Sequence, residues 1–180
     1  MLLKRQPRVF TMPESDVKEL VSRVLDMWFS KGSKMLVHAV HTVCCINRET
    51  FERKMKLFQS FGFSEGECIK MFRKVLVLFR TFEGKLRSRI EFFMNRMKFD
   101  KAVLVSYPTG LMYSLDDRVI PRCRAVQLLK SKKLLKKMPN FVSILSLTEK
   151  EFLEKYIAVF RDDAEEIPVV CKGVGIFLEL

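Results

Sequence analysis

Glycine, proline and histidine are scarce in this sequence. The 180 residues include seven Gly, six Pro and two His. Sandwiches and barrels depend on many tight turns and would need more Gly and Pro, so the composition favours helices. Nucleophilic catalysis needs a base oriented beside a Ser or Cys. The two histidines lie in one short segment and offer few candidates for that base. We therefore expect no enzymatic activity.

The sequence also lacks an apolar run of 18 residues and any paired spacing of its cysteines. A membrane-spanning helix is therefore not expected, and five unpaired Cys favour a reducing compartment over a disulfide framework. The N-terminus has no acid before Glu14, as in an organellar presequence. Because the repeat described below already covers that segment, we interpret it as the tail of a repeat and not as a transit peptide.

One group of residues has the composition of a metal site. His38, His41 and Cys45 would share one helix face at the spacing i, i+3 and i+7. This is not a zinc-finger spacing and no second pair of ligands follows, so cysteines packed between helices are the favoured interpretation. We predict no metal, no other cofactor and no small-molecule substrate.

What the sequence does contain is an internal repeat. Similar stretches open at Pro7, His41, Leu76 and Pro108, at intervals of 34, 35 and 32 residues. In each, a short apolar run ends, a few hydroxyl or amide side chains follow, and a longer amphipathic run begins. A period near 34 with two helical stretches per unit indicates an α-solenoid, whose units bury their faces against their neighbours.

Capping residues and apolar spacing place the helices. The predicted starts of the long helices are Thr11, Asn47, Thr81, Ser114 and Thr148. The predicted short helices cover residues 33–43, 64–76, 101–107 and 139–145. Pro121 lies one turn inside its long helix and is expected to bend it, because it removes a backbone hydrogen bond.

Basic residues are in excess and are concentrated in one part of the chain. The net charge is +12, from 33 Lys+Arg and 21 Asp+Glu, which favours a polyanionic partner, nucleic acid before an anionic membrane. Eight basic residues and no acid lie from Arg118 to Lys137, whereas acids dominate from Glu149 to Glu166. A basic array closed by an acidic end unit is typical of a polyanion-binding solenoid.

The repeat places several cations in register. Lys54, Arg89 and Arg122 occupy one equivalent position, and Lys85 and Arg118 occupy another. Equivalent positions of stacked repeats form a row, and a row of charges can follow a phosphate backbone. The alternative is a set of cations that only keep the outer face hydrated. The predicted nucleic-acid-binding residues are Lys54, Lys85, Arg89, Arg118, Arg122, Arg124, Lys130, Lys132 and Lys133.

Several stretches closely resemble the repeats of plant mTERF proteins, the mitochondrial transcription termination factor family. These stretches are Ser106–Pro108, Tyr113–Arg122, Leu128–Lys132, Phe58–Ser64, Met71–Lys74, Glu83–Leu86, Glu91–Phe93 and Lys150–Tyr156. The resemblance covers roughly residues 6–158. It implies a right-handed α-solenoid of three-helix repeats, about four of them with a C-terminal cap, over residues 1–160. An acidic and then apolar tail follows over residues 161–180.

The resemblance also implies a function. A basic inner groove would bind DNA or RNA in a mitochondrion or chloroplast and affect transcription termination or initiation, RNA maturation or translation. The chain has fewer repeats than typical members, so we expect a short or truncated member that acts as a monomer. The alternative function is a helical-repeat scaffold that binds a protein or ribosomal partner.

Two other repeat families match this sequence less well. The signature residues of tetratricopeptide repeats are missing from it. Pentatricopeptide repeats have two helices of similar length, whereas short and long helices alternate here.

Overall fold

All the regular secondary structure that can be described is helical. The computed structural model of the protein describes residues 12–27 and 29–158, and no strand occurs within those ranges. The predicted all-α fold is confirmed. The α-helices are α1 (Glu14–Asp26), α2 (Lys34–Cys45), α3 (Arg48–Ser60), α4 (Glu65–Lys74), α5 (Glu83–Glu91), α6 (Lys101–Ser106), α7 (Ile120–Ser131), α8 (Phe141–Ser146) and α9 (Glu149–Tyr156).

Shorter helical turns extend or follow some of these helices. Two 3₁₀ turns cover Leu76–Arg80 and Pro108–Met112, and two π turns cover Phe92–Arg96 and Leu115–Val119. The chain divides into two compact units between Leu111 and Met112. Unit 1 contains α1–α6 and unit 2 contains α7–α9. The boundary predicted between residues 160 and 161 lies outside the described residues and stays a prediction.

Most of the predicted caps are confirmed. The side chains of Asn47, Ser114 and Thr148 accept hydrogen bonds from backbone N–H groups three residues further on. Thr11 lies outside the described residues. Helix α5 begins at Glu83, with Phe82 at the capping position, one residue later than the start predicted at Thr81. The Thr81 N–H closes the preceding 3₁₀ turn on the Leu78 carbonyl at 3.1 Å.

The short helix predicted over residues 64–76 is in fact two elements. Helix α4 ends at Lys74, Val75 takes an extended φ of −138°, and a separate 3₁₀ turn then begins at Leu76. Apolar spacing alone did not reveal that break, because 3₁₀ turns and α-helices both place an apolar residue about every third position. The 3₁₀ turn supplies the third helical element of the repeat.

Pro121 is the second residue of α7, which directly follows the π turn, so Pro121 does not lie one turn inside that helix as predicted. The π turn before it is wider, since the Val119 N–H donates to the Ser114 carbonyl five residues back at 3.0 Å. This turn adds one residue between the cap and the buried face of α7. Helix α3 has no such turn, so Lys54 lies seven residues after its cap and Arg122 lies eight residues after its own.

Each unit has its own apolar core. In unit 1, phenylalanine rings pack in contact, with Phe51 stacked on Phe79 at 4.9 Å and Phe72 edge-on to Phe79 at 5.1 Å. In unit 2, a cluster joins α7, α8 and α9. Its buried residues are Ala125, Val126, Leu129, Ile144, Phe152, Tyr156 and Ile157. Phe51 on α3, Val126 and Leu129 on α7, and Phe152 and Tyr156 on α9 belong to the apolar spacing that placed these long helices.

The capping box of α9 predicts how stability depends on pH. The Thr148 N–H and hydroxyl donate to the Glu151 carboxylate at 2.6 and 2.8 Å, and these bonds lower the pKa of Glu151. A carboxyl whose pKa is lower in the folded state stabilises the fold above its unfolded pKa, and loses that effect as pH falls through the folded value. We expect Glu151→Gln to destabilise the protein at pH 7 and to be nearly neutral at pH 3, in urea unfolding at both values.

Glu154→Gln on the same helix is the matched control. Glu154 lies 3.9 Å from the exposed Lys150 and accepts no capping bond, so its substitution should have little effect at either pH. Equal pH dependence in the two variants would show that the capping box is not the source.

Candidate nucleic-acid interface

Each cation of the predicted row follows a buried apolar residue by three positions. Phe51, Leu86 and Val119 are buried in the long helices, and the cations Lys54, Arg89 and Arg122 come three residues later. Residues three apart lie on the same helix face. The cations therefore point toward the buried side of each helix, and their surroundings decide what they can bind.

Lys54 is enclosed by the end of a 3₁₀ turn. Its side chain is only 5% exposed, and its Nζ donates to the carbonyl of Phe79 at 2.5 Å and to that of Thr81. Burial lowers the pKa of the Lys54 ammonium, and the nearby Glu83 opposes that shift. Lys54 thus connects α3 to the carbonyls at the end of the 3₁₀ turn Leu76–Arg80.

Arg89 makes the equivalent contact one repeat later. Its Nη1 donates to the carbonyl of Leu111, in the second 3₁₀ turn, at 2.9 Å. The side chain is half-buried, and burial lowers the pKa of its guanidinium. The contact repeats the pattern of Lys54 with a guanidinium in place of an ammonium.

Arg122 makes the most extensive contact in the row. Its side chain is 2% exposed, and its Nη1 donates to the carbonyls of Ile144 and Leu147 at 2.8 and 2.7 Å. Its Nη2 lies 2.8 Å from Glu149 Oε2, and its guanidinium lies 4.7 Å from the centre of the Phe152 ring. Among the described residues, its Nε finds no hydrogen-bond partner.

Arg118 approaches the same helix end from one turn earlier. Its Nε donates to the Leu145 carbonyl at 3.1 Å and its Nη2 donates to the Leu147 carbonyl. Its guanidinium also lies 4.5 Å from the centre of the Tyr113 ring. Arg118 and Arg122 together serve the last carbonyls of α8, which have no partner within that helix.

These contacts correct the predicted role of the row. A phosphate ligand needs an accessible head group, and Lys54 and Arg122 are buried against backbone carbonyls, so the prediction that they face a ligand is wrong. Arg89 and Arg118 are half-buried and also bind carbonyls. The carbonyl ends of helices carry partial negative charge. The cations bind these carbonyl oxygens, whereas the prediction had them bind phosphates.

The other predicted residues lie at the surface. Lys85, Lys130, Lys132 and Lys133 are exposed, and Arg124 is half-buried. Lys130 also donates to the carbonyls of Leu135 and Lys136 at 3.4 and 3.1 Å. Four of these five residues lie on α7 or directly after it, in unit 2.

Two further lysines that sequence reasoning missed connect consecutive short elements. Lys74 at the end of α4 donates to the carbonyls of Val105 and Ser106 at 3.1 and 2.9 Å. Lys101 donates to the Gly62 carbonyl at 3.0 Å and lies 3.3 Å from Glu67. Their positions at helix ends, about one repeat from the carbonyls they meet, were the available signal.

Metal binding, thiol catalysis and membrane insertion find little support among the described residues. No three His, Cys, Asp or Glu side chains in this part of the chain are grouped so as to hold a metal ion. Burial raises the pKa of the Cys68 thiol to about 11 and that of the Cys123 thiol to about 12. Both thiols are therefore protonated near neutral pH and are poor nucleophiles. No helix of residues 12–27 and 29–158 is long and apolar enough to cross a membrane.

Comparison with known families explains the repeated geometry. The sequence profile named mTERF matches residues 1–153. The chain belongs to the mTERF family. Proteins of the mTERF family are helical-repeat solenoids and, in general, nucleic-acid-binding regulators of gene expression in organelles. A search of curated proteins finds no match. That the chain is a plant member, or a shortened one, stays a prediction.

The carbonyl contacts of this mTERF chain predict that Lys54 acts in folding. Lys54→Met keeps most of the stem but leaves the Phe79 and Thr81 carbonyls without their donor, so we expect a loss of about 2 kcal/mol in the free energy of unfolding. The matched control is Lys56→Met on the exposed side of α3, which should change stability by no more than about 0.5 kcal/mol. Urea unfolding measures both, and equal losses would contradict the structural role.

Proposed function

We propose that this mTERF protein binds duplex DNA or structured RNA and thereby regulates gene expression in a mitochondrion or chloroplast. Transcription termination and RNA maturation are the activities that such binding would serve. Membership of the mTERF family supports the general role. The distribution of exposed charge supports binding to a polyanion.

The observation that carries the proposal is the uninterrupted basic character of α7 and the segment after it. No Asp or Glu lies between Asp117 and Glu149, whereas eight Lys and Arg residues do. Arg118 and Arg122 serve the fold, and most of the others are exposed. A surface with one sign of charge attracts a polyanion at long range and releases counterions when it binds.

Five of the nine contacts that the sequence predicted remain in this proposal. They are Lys85 in unit 1, and Arg124, Lys130, Lys132 and Lys133 in unit 2. Lys54 and Arg122 are excluded because their head groups are buried. Arg89 and Arg118 are left out because they are half-buried against the carbonyls that they bind.

The salt dependence of binding tests the proposal. If about three to five cations each neutralise a phosphate, the logarithm of the affinity for duplex DNA should fall against the logarithm of salt concentration with a slope of roughly −3 to −5. The measurement is fluorescence anisotropy with labelled duplex DNA, an RNA hairpin and single-stranded RNA, at salt concentrations from about 50 to about 300 mM.

Two outcomes decide between the proposed function and its alternative. A steep slope with any of the three ligands supports nucleic-acid binding, and the ranking of the ligands shows which class the protein prefers. No binding at the lowest salt, or a slope near zero, would contradict the proposal. That result would favour a scaffold that recognises a protein or ribosomal partner.

A further inference from the structure

The turn that follows α7 has the same hydrogen-bond pattern as the turn that follows α3. After α7, the Leu134 N–H donates to the Leu129 carbonyl five residues back at 2.9 Å. After α3, the Phe63 N–H donates to the Phe58 carbonyl in the same way at 3.3 Å. Both turns are Schellman motifs, in which one residue after the helix takes a left-handed conformation.

The residue at the left-handed position differs between the two turns. After α3 it is Gly62, with φ of +82°, whereas after α7 it is Lys133, with φ of +60°. Glycine takes this conformation without strain, but a lysine meets a steric penalty from its Cβ. The helix dipole favours a cation here, yet the neighbouring Lys130 and Lys132 already supply that charge. Strain at a non-glycine residue is a reason to ask what its side chain does, and Lys98, with φ of +54°, provides the comparison.

The segment around Lys133 is folded, and we name residues 130–137 the lysine loop. Leu134 and Leu135 are partly buried against the core of unit 2, and the Lys130 Nζ donates to the carbonyls of Leu135 and Lys136. These contacts hold the base of the loop. The exposed lysines of the loop are Lys130, Lys132, Lys133, Lys136 and Lys137.

The chemistry of the loop fits phosphate groups and not base edges. Lysine ammonium groups are compact point charges, whereas recognition of guanine relies mainly on the planar fork of an arginine. The lysine loop contains five lysines and no arginine, Asp or Glu. Contacts of this kind fix a protein on a nucleic acid without selecting a sequence.

We propose that the lysine loop binds the phosphodiester backbone of a nucleic acid independently of sequence, and that Lys133 keeps its strained conformation for this purpose. The inference rests on the proposed function, since it assigns one part of the nucleic-acid contact to one segment. It also makes a separate demand: the substitution that weakens binding should strengthen the fold.

Lys133→Gly tests that demand. The change relieves the left-handed strain, so Tm should rise by about 2–4 °C. It also removes one phosphate contact, so affinity for duplex DNA at 100 mM salt should fall by roughly fivefold and the salt slope should become less steep by about one. The measurements are a thermal melt by circular dichroism and anisotropy titrations of the full chain.

Lys98→Gly is the matched control. Lys98 is also exposed and left-handed, with φ of +54°, and its loss changes the net charge equally. Lys98 lies in unit 1, and it is followed by Asp100 instead of a run of lysines. We expect a similar rise in Tm and a loss of affinity of twofold or less. Equal losses of affinity in the two variants, or no rise in Tm for Lys133→Gly, would overturn the inference.

A second pair of variants measures the whole loop. Substitution of Lys132, Lys133, Lys136 and Lys137 by Gln should make the salt slope less steep by about three to four. The control replaces Lys31, Lys34, Lys56 and Lys70 by Gln, four exposed lysines of unit 1, and should leave the slope nearly unchanged. The loop variant should bind a random duplex and a random hairpin equally poorly, because its contacts read no sequence.

The outcomes separate this inference from the proposed function. If the unsubstituted chain binds no nucleic acid, both fail. If it binds steeply but the loop variant retains its slope, only the lysine loop is excluded. If the loop variant binds nucleic acid normally but loses binding to vesicles containing phosphatidylserine, the loop serves a membrane and the inference is wrong.

Discussion

The repeats of this protein depend on hydrogen bonds from buried and half-buried cations to the carbonyl ends of short helical elements. A short helix or 3₁₀ turn leaves its last carbonyls without partners, and in a packed array these groups are shielded from water. Lys54, Arg89 and Arg122 reach across from a long helix and supply the donors. A carbonyl left unsatisfied in such a place is costly, so these contacts constrain which helix can follow which.

The position of each cation follows from the apolar core. Each cation comes three residues after a side chain packed in that core, namely Phe51, Leu86 and Val119. Packing of the core residue fixes the rotation of the helix about its axis. That rotation places the cation beside the carbonyls of a 3₁₀ turn or of α8. The π turn before α7 adds one residue and keeps Arg122 in this orientation. Packing and carbonyl capping are therefore two consequences of one helix register.

Local features of this fold could be predicted from the sequence. Asn47, Ser114 and Thr148 cap their helices as expected because capping needs only a side chain and the next three N–H groups. Apolar spacing also located Phe51, Leu129 and Phe152 in the core, since the 3.6-residue period that predicts such positions is the geometry that packs them. The break at Val75 was missed because an extended residue between two short helical turns leaves no trace in that period.

The direction of the cation row could not be predicted, because burial of a charge depends on what lies opposite. The register gave Lys54, Arg89 and Arg122 equivalent positions in their repeats, but the carbonyls that face them belong to residues 22 to 25 positions further on and come close only after folding. Part of the excess positive charge is thus internal to the structure. The exposed members of the predicted set are all lysines, and three of these four lie at the end of α7 or directly after it.

This division between internal and external cations has consequences for how the surface evolves and how it can be engineered. Replacing a buried member of the row disturbs stability first, whereas replacing an exposed lysine changes the surface field with little effect on the core. The two groups differ in solvent access, since Lys54 is 5% exposed whereas the lysines of the loop are exposed.

Chemical labelling of lysines tests the division most directly. The folded protein is acetylated briefly with and without duplex DNA, and the extent at each lysine is read by mass spectrometry, with exposed Lys56 as internal reference. We expect Lys54 to be slow in both states, and Lys132, Lys133, Lys136 and Lys137 to be fast in the free protein and protected in the complex. Rapid acetylation of Lys54 in the free protein, with protection on adding DNA, would contradict the structural role of the cation row.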